Sequence, residues 1–251
     1  MAERVRIILK SGKDQAVKRF HPWIFSGAIK KIYGTAAEGD IVDVFDNKNT
    51  FLARGHYQPG SIAVRILSFE DTETGIDFFR ERIRKAIDYR KSTVLKNINE
   101  TNVFRLVHAE GDNLPGLVVD YYNGVVVMQM HSVGMYRLRE EFTEILKELL
   151  GEKVSAVYDK SGETIPHMSA IVAENGFLYG SSDRVQVSEN GFRFIVDIES
   201  GQKTGFFIDQ RENRKMLAEY SEGRTVLNMF SYTGGFSVYA MKNARLVCSV
   251  D

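Results

Sequence analysis

A short glycine turn close to residue 251 is the segment whose residue types could bind a ligand. Residues 226–230 are an apolar run typical of a buried strand, residues 231–235 form the turn, and a helix begins at Phe236. The turn has two adjacent glycines, which let the backbone approach a ligand closely, and the start of the helix offers amide donors without partners. The pattern therefore predicts a site for a nucleoside cofactor with a polar tail.

An acid follows the next predicted strand. Residues 246–250 are predicted to form the next strand, which is followed by Asp251, 21 residues after Phe230. This spacing suits a helical crossover between parallel strands and places a carboxylate where a nucleoside ribose is usually held. The segment predicts a βαβ unit that is cut short. The Gly-x-Gly-x-x-Gly spacing of nicotinamide and flavin sites is missing, which favours S-adenosylmethionine over a dinucleotide.

The composition is that of an ordinary globular protein. The 251 residues are 43% hydrophobic and 26% charged, which is enough for a real core and for one to three domains. Lys plus Arg and Asp plus Glu both number 33, so any nucleic-acid-binding surface must be a local patch. The single cysteine, Cys248, excludes an internal disulfide and indicates a reducing compartment. No membrane span or signal peptide is recognised, so we expect a cytoplasmic protein.

The first part of the chain has the pattern of a small β barrel. Short β runs at 5–9, 41–45, 51–54 and 62–69 are separated by Gly, Asp and Asn. The polar and acidic residues 70–75 then precede an amphipathic helix. We therefore expect a domain boundary after residue 73.

The middle of the chain predicts an α+β domain built on a hairpin. Asn123 and Gly124 separate β runs at 117–122 and 125–131, which is a strong hairpin signal. A helical stripe that ends at Gly151 and a strand at 154–158 follow.

A second hairpin is expected at Asn190 and Gly191. Asp209 is expected to cap a helix that precedes the strand at 226–230.

Two stretches resemble the signature of a known family. Residues 201–211 (GQKTGFFIDQR) and 226–236 (VLNMFSYTGGF) are similar to the signature of the RlmI-like S-adenosylmethionine-dependent RNA methyltransferases. The type member of that family methylates carbon 5 of a cytosine in 23S ribosomal RNA. Residues 21–25, 28–29, 38–40 and 51–55 are similar to the N-terminal PUA domain of the family, and residues 105–107 and 112–120 resemble its central domain.

The resemblance implies a fold of α/β plus β class with three domains. These are a small PUA-like RNA-binding β barrel at 1–73, an α+β middle domain at 74–188, and the first part of a Rossmann-like class I methyltransferase domain at 189–251.

The resemblance also implies a cofactor site. Asp251 would accept from the ribose hydroxyls, Phe207 would be an apolar wall, and Gln210 or Arg211 would lie near the methionine carboxylate. Of Phe206 and Phe207, one is expected to pack in the core. The methionine side of the cofactor would be lined by Phe230, Ser231, Tyr232, Thr233, Gly234 and Gly235.

No catalytic residue is expected among residues 1–251. Methylation of cytosine carbon 5 requires a thiolate that attacks carbon 6 and a base that removes the carbon 5 proton. The resemblance places the catalytic cysteine beyond the second strand, and Cys248 lies in a predicted buried strand where a thiol is usually inert. We therefore expect a chain that is part of a longer enzyme and inactive alone. No metal is expected, because metal-ligand spacing is absent from the histidines, His21, His56, His108, His131 and His167.

RNA, and ribosomal RNA in particular, is the expected partner, while a homodimer stays open. Trp23 could stack a base, and the basic side chains could contact phosphates. The candidates for RNA contact are Arg4, Lys18, Arg19, Trp23, Lys30 and Arg54. Two alternatives stay open at this point: a non-catalytic RNA-binding module, and a dinucleotide-dependent enzyme that the missing third glycine disfavours.

Overall fold

The computed structural model describes residues 4–93, 100–166, 169 and 171–251, so His167 lies outside the described residues. The α-helices are Gln15–Lys18 (α1), Ile76–Thr93 (α2), Val133–Tyr136 (α3), Arg139–Leu150 (α4), Arg211–Tyr220 (α5) and Gly235–Ala240 (α6). The strands are Val5–Leu9 (β1), Trp23–Phe25 (β2), Ile29–Tyr33 (β3), Ile41–Phe45 (β4), Phe51–Tyr57 (β5), Ile62–Ser68 (β6), Val103–His108 (β7), Leu117–Tyr122 (β8), Val125–Met130 (β9), Ala156–Asp159 (β10), Gly176–Tyr179 (β11), Val185–Glu189 (β12), Phe192–Val196 (β13), Thr225–Met229 (β14) and Leu246–Val250 (β15). Among the helices of these ranges, none has the length and apolar character to cross a membrane.

Strands β1 to β6 form one sheet in the order β2-β6-β5-β4-β1-β3. Alternate side chains of these strands point into a single core that contains Ile7, Val42, Val44 and Val64. The sheet is mixed, because β1 pairs parallel with β4 while its other neighbouring pairs are antiparallel. The predicted N-terminal β domain is confirmed, and it also contains β2 and β3, which the sequence pattern did not reveal.

The middle sheet has the order β11-β10-β9-β8-β7. Asn123 and Gly124 have φ angles of +45° and +102°, which is the backbone of a tight hairpin turn, and Tyr122 pairs with Val125 across it. Helices α2 and α4 cover one face of the sheet through Phe79 and Phe142. The predicted hairpin and both predicted helices are confirmed.

The opposite face of the middle sheet is covered by the β12–β13 hairpin with α5 and α6. Tyr122 and Tyr158 of the sheet share a core with Phe194 of the hairpin and Tyr239 of α6. The predicted boundary after residue 188 falls inside β12, whose buried side chains belong to that shared core. Residue 188 is therefore not a boundary between two domains with separate hydrophobic cores.

The βαβ unit of the last segment is present. β14 and β15 pair in parallel, with Val226 opposite Val247, and α6 packs on one face of the pair. Cys248 is exposed, although the sequence predicted a buried strand. That prediction was wrong because Cys248 lies on the face of β15 that points away from α6, together with the exposed Leu246 and Val250.

The N-terminal β domain packs against helices α2 and α3 around a buried histidine. The ring of His56 on β5 stacks on Phe79 of α2, with 6.3 Å between the ring centroids. A Cβ atom at Gly134 would lie only 2.3 Å from Cγ of His56, so the backbone of α3 meets the imidazole directly. Burial and, to a smaller extent, the charges of Arg137 and Arg65 lower the pKa of His56 to about 4.

Candidate functional site

A cavity of about 500 Å³ lies at the carboxyl ends of β14 and β15, the edge where parallel sheets commonly bind ligands. We call it the strand-end cavity. Two segments form most of its lining: the mouth loop, residues 201–210, and the glycine turn, residues 230–235. The lining residues are Gln202, Lys203, Phe206, Phe207, Asp209, Gln210, Arg214, Phe230, Ser231, Tyr232, Thr233, Gly235, Phe236 and Asp251.

The glycine turn has an unusual backbone. Phe230, Tyr232 and Gly234 have φ angles of +57°, +49° and +70°, so left-handed residues alternate with ordinary ones. Left-handed backbone at a non-glycine residue costs on the order of 1–3 kcal/mol and persists only where the surroundings hold it. Here the amide of Gly234 donates to the carbonyl of Ser231 at 2.8 Å, and the amide of Ser231 donates to the carbonyl of Val250 at 3.0 Å.

Tyr232 connects the glycine turn to both neighbouring segments. Its amide donates to Oδ1 of Asp251 at 2.8 Å, and its hydroxyl accepts from the amide of Gln202 at 2.7 Å. The Asp251 carboxylate is exposed at the edge of the cavity, and its Oδ2 has no hydrogen-bond partner among the residues that the structure describes. That oxygen is available to a ligand.

Of the two neighbouring phenylalanines in the mouth loop, one packs in the core, as expected. Phe206 is 3% exposed and contacts Phe194. Phe207 is half-buried, and its ring meets Tyr232 edge-on with 5.5 Å between centroids. The Lys203 ammonium lies 4.4 Å above the ring of Phe207. Phe207 therefore forms an aromatic wall of the cavity.

Side chains of the middle sheet anchor the mouth loop from below. The hydroxyl of the buried Thr204 donates to Oδ2 of Asp120 at 2.6 Å and lies 2.7 Å from the hydroxyl of Tyr122. Arg105 donates two hydrogen bonds to the same carboxylate, at 2.8 and 3.0 Å. Burial, followed by the charge of Asp120, raises the pKa of Tyr122 well above its usual value, so this hydroxyl stays protonated. Lys160 donates to the carbonyl of Gly201 at the start of the loop.

Gln210 and Arg211, the two residues expected near the methionine carboxylate, line different cavities in the structure. Gln210 lines the strand-end cavity, whereas Arg211 lines a neighbouring cavity and its Nε donates to Glu212 at 3.1 Å. Asp209 was expected to cap α5, and this prediction was wrong. Asp209 lies inside a 3₁₀ turn, Ile208–Gln210, that precedes α5, so Gln210 occupies the N-cap position, without a side-chain cap. The Asp209 carboxylate pairs with Lys203 at 3.4 Å.

Sequence reasoning missed the charged and polar residues beneath the cavity. Glu189 continues the alternation of buried positions that begins at Val185 and Val187, and Asp120 interrupts the apolar run of β8. A charged residue at a position predicted to be buried is the signal that could have revealed both. Their partners, Arg214 and Thr204, are distant in sequence and give no local signal.

The predicted RNA contacts fall into two groups. Arg54 was wrongly predicted to reach phosphates: it is 2% exposed, and its guanidinium donates to Asp43 at 2.6 Å and to Asp71 at 2.7 Å.

Three of the other candidates also have partners. Arg4 pairs with Glu73, Lys18 pairs with Asp14, and the indole of Trp23 donates to Glu110 at 2.8 Å. Arg19 and Lys30 are exposed and have no ion pair among the described residues, so they stay available to a polyanion.

Two known families match separate ranges of the chain. Residues 7–69 match the PUA-like domain family, and residues 105–251 match the family of S-adenosylmethionine-dependent methyltransferases. The second match covers more than half of the 251 residues.

Curated relatives have one name in common. The chain is 40% identical to the ribosomal RNA large subunit methyltransferase I of Alteromonas mediterranea, over 98% of this chain and 62% of the relative. It is 38% identical to the protein of the same name from Aeromonas salmonicida, over 98% of this chain and 63% of that protein. The chain thus spans less than two thirds of the length of these relatives.

Two solved structures have the same fold. A protein of Streptococcus mutans described as an S-adenosylmethionine-dependent methyltransferase matches with a TM-score of 0.82 at 24% identity, over 98% of this chain and 63% of that one. A methyltransferase in complex with S-adenosylhomocysteine matches with a TM-score of 0.82 at 25% identity, over 98% of this chain and 62% of that one.

Proposed function

The chain belongs to the family of S-adenosylmethionine-dependent methyltransferases, and we propose that it holds the cofactor-binding and RNA-binding parts of an enzyme that methylates large-subunit ribosomal RNA. The observation that carries the proposal is the strand-end cavity, which joins the glycine turn, the mouth loop and Asp251 in one chain with a PUA-like domain. The names of the relatives support ribosomal RNA as the substrate class.

The residues around the strand-end cavity fit a nucleoside cofactor with an amino-acid tail. A volume of about 500 Å³ lies in the usual range for small-molecule sites. Oδ2 of Asp251 is available to accept from ribose hydroxyls, and the side-chain amide of Gln202 is available to a carboxylate. One hydrogen of the Gln210 amide donates to Asp209 at 3.2 Å, which leaves its second hydrogen for a ligand. Phe207 and Tyr232 form an aromatic wall that excludes water from one side.

The part of this chain in the reaction is to bind and orient. S-adenosylmethionine, when bound, supplies an activated methyl group. Asp251 would fix the ribose, and the glycine turn would bring backbone close to the methionine portion. Thr204 and Asp120, beneath the loop, would hold Phe207 and Gln210 at the cavity edge. No proton transfer is assigned to any of these residues.

We propose 5-methylcytosine as the product, formed with a cysteine nucleophile that lies beyond residue 251. Carbon 5 of cytosine becomes nucleophilic only after a thiolate has added to carbon 6. Cys248 does not line the strand-end cavity, and it lies on the face of β15 that points away from α6. This position supports a different cysteine as the nucleophile.

The N-terminal β domain is the proposed RNA-binding part of the chain. It matches the PUA-like family, and it presents Arg19 and Lys30 as exposed cations. Phe25, on β2, is 49% exposed and adds an aromatic surface near these cations in sequence.

Cofactor choice is tested by thermal unfolding of the 251-residue chain. A ligand that binds only the folded state at 100 times its Kd adds about 2.7 kcal/mol to the free energy of unfolding. We expect S-adenosylhomocysteine to raise Tm and NAD to leave it unchanged. A rise with NAD alone would overturn the cofactor assignment.

The product is tested on the complete enzyme. We expect incubation with unmodified ribosomal RNA and S-adenosylmethionine to yield 5-methylcytidine, detected by mass spectrometry of the digested nucleosides. Methylation of another atom or base would contradict the cytosine assignment. Tight RNA binding with no methylated nucleoside would favour the non-catalytic binding module instead.

A further inference from the structure

Arg214 of α5 is a buried arginine, and each of its three guanidinium nitrogens donates to a protein oxygen. The side chain is 2% exposed. Nε and Nη2 donate to the two carboxylate oxygens of Glu189 at 2.9 and 2.8 Å, and Nη1 donates to the carbonyl of Phe207 at 3.0 Å. Glu189, at the end of β12, is 0% exposed. The pair therefore joins the hairpin, α5 and the mouth loop.

The same arginine touches the glycine turn and the first turn beyond it. A Cβ atom at Gly235 would lie 3.3 Å from Cδ of Arg214, so the turn packs on the aliphatic part of the side chain. The guanidinium carbon lies 4.6 Å from the ring centroid of Phe206 and 6.0 Å from that of Phe236. Arg214 thus contacts both segments that form the strand-end cavity, and it lines that cavity itself.

Glu189 is in turn oriented by α6. The hydroxyl of Tyr239 lies 3.0 Å from Oε1 of Glu189 and 3.1 Å from its carbonyl oxygen, and its single hydrogen is shared between these two acceptors. Tyr239 is 1% exposed. Both carboxylate oxygens therefore have fixed partners, and the carboxylate has one preferred orientation beneath the cavity.

A gain in folding stability does not by itself explain the buried ion pair of Glu189 and Arg214. A buried ion pair loses hydration of both charges, and apolar residues of similar volume are often as stabilising. A bidentate arginine–carboxylate pair differs from an apolar pair in fixing direction, because two parallel hydrogen bonds define the plane of the guanidinium. The third nitrogen then fixes the carbonyl of Phe207, the residue that forms the cavity wall.

Two roles are compatible with an arginine that lines a cofactor cavity. The guanidinium could bind the carboxylate of the cofactor, or it could hold the protein segments that do. In the structure Nε, Nη1 and Nη2 all donate to protein oxygens, and the charge is neutralised by Glu189. This arrangement favours the second role.

We propose that Glu189 and Arg214 are positioning residues, which set the affinity for the cofactor by fixing the Phe207 carbonyl and the packing beneath Gly235. The inference rests on the proposed function, in which the strand-end cavity holds S-adenosylmethionine. Neither side chain is a catalytic residue, since neither is assigned a contact with the reacting atoms.

Calorimetric titration of the 251-residue chain with S-adenosylhomocysteine separates the two roles. Glu189→Gln removes the negative charge that orients Arg214, so the arginine keeps its positive charge without a neutralising partner. If the pair is a positioning device, affinity falls about tenfold or more, the scale expected for loss of a hydrogen bond between charged groups. If Arg214 binds the cofactor carboxylate directly, Glu189→Gln leaves affinity unchanged or raises it, which would overturn the proposal.

A milder variant and a matched control complete the titration. Tyr239→Phe removes only the hydroxyl that orients Glu189 and leaves the pair with Arg214 in place, so we expect a smaller loss of affinity, about threefold. Arg90 and Asp112 form another bidentate pair that is largely buried, with distances of 2.6 and 2.7 Å, and neither lines the strand-end cavity. Asp112→Asn should lower Tm while affinity stays within about twofold of the wild type. Equal loss of affinity in Asp112→Asn and Glu189→Gln would refute a specific role.

Hydrogen exchange tests the positioning role without a ligand. We expect Glu189→Gln to increase amide exchange in residues 205–210 and 230–235, and Asp112→Asn to leave both segments protected as in the wild type. Unchanged exchange in Glu189→Gln would refute the proposal. A wild-type chain that does not bind S-adenosylhomocysteine, but in which Glu189→Gln still loosens these two segments, would count against the proposed function and not against the positioning role.

Discussion

Thr204 is the point where the mouth loop is attached to the middle sheet, and replacing it with valine should be costly. Thr204→Val keeps the shape of the side chain but removes the hydroxyl. That hydroxyl donates to the Asp120 carboxylate at 2.6 Å and lies 2.7 Å from the hydroxyl of Tyr122. All three residues are buried, so water does not replace the lost partner.

The magnitude follows from the two hydrogen bonds. A bond to a charged acceptor contributes about 1.5–3 kcal/mol and a neutral one about 0.5–1.5 kcal/mol. The added methyl group of valine offsets part of this loss, by about 0.8 kcal/mol. We therefore expect the free energy of unfolding to fall by about 2–3 kcal/mol, which corresponds to a Tm lower by roughly 5–10 °C for a chain of this size.

Thr143→Val is the matched control. Thr143 is also buried, but its hydroxyl donates only to the carbonyl of Arg139 one turn earlier in α4, at 2.9 Å. Its replacement should cost less than about 1 kcal/mol. Urea unfolding of both variants gives the comparison, and titration with S-adenosylhomocysteine should show weaker binding for Thr204→Val alone. Equal destabilisation by the two substitutions, with cofactor affinity unchanged in both, would refute the anchoring role of Thr204.

Three further predictions concern the cofactor, pH and RNA. Asp251→Asn keeps an acceptor for the Tyr232 amide but removes the charge, so calorimetry should show about 5- to 30-fold weaker binding of S-adenosylhomocysteine; unchanged affinity would contradict the ribose assignment. His56 has a pKa of about 4 in the folded state against 6.5 unfolded, so its contribution to stability is complete above pH 6.5 and about 3 kcal/mol is lost as the pH falls to 4. Urea unfolding across this range should therefore show a shallower pH dependence for His56→Gln than for the wild type, and an equally steep dependence in both would contradict the role of His56. Replacing Arg19 and Lys30 with glutamine should reduce the salt dependence of RNA binding by about 0.7–0.9 in log-log slope for each lost phosphate contact, and an unchanged slope would exclude them from the RNA interface.

Features that depend on neighbouring residues in sequence were predictable. Asn123-Gly124 specifies its hairpin locally, since both residues adopt positive φ readily, and the register follows from the turn. The β14–α6–β15 unit was equally clear, because an apolar run, a glycine turn and a helix start follow one another directly. The carboxyl end of a parallel pair then brings Asp251 and the glycine turn together.

Features that depend on distant partners were not predictable. Arg54 looks like any surface cation in the sequence, yet Asp43 and Asp71 enclose it. The buried pair Glu189–Arg214 joins residues 25 positions apart on different elements, and no local pattern marks the arginine as buried. The burial of Cys248 was misjudged for a related reason, because the pattern of a strand does not tell which of its faces another element covers.

The central claim is that the strand-end cavity, bounded by the mouth loop, the glycine turn and Asp251, holds S-adenosylmethionine. A crystal structure of the chain grown with S-adenosylhomocysteine tests this most directly. We predict a ligand whose ribose hydroxyls donate to the Asp251 carboxylate and which contacts Phe207 and the glycine turn. A ligand bound elsewhere on the chain, with this cavity filled by its own side chains, would contradict the account.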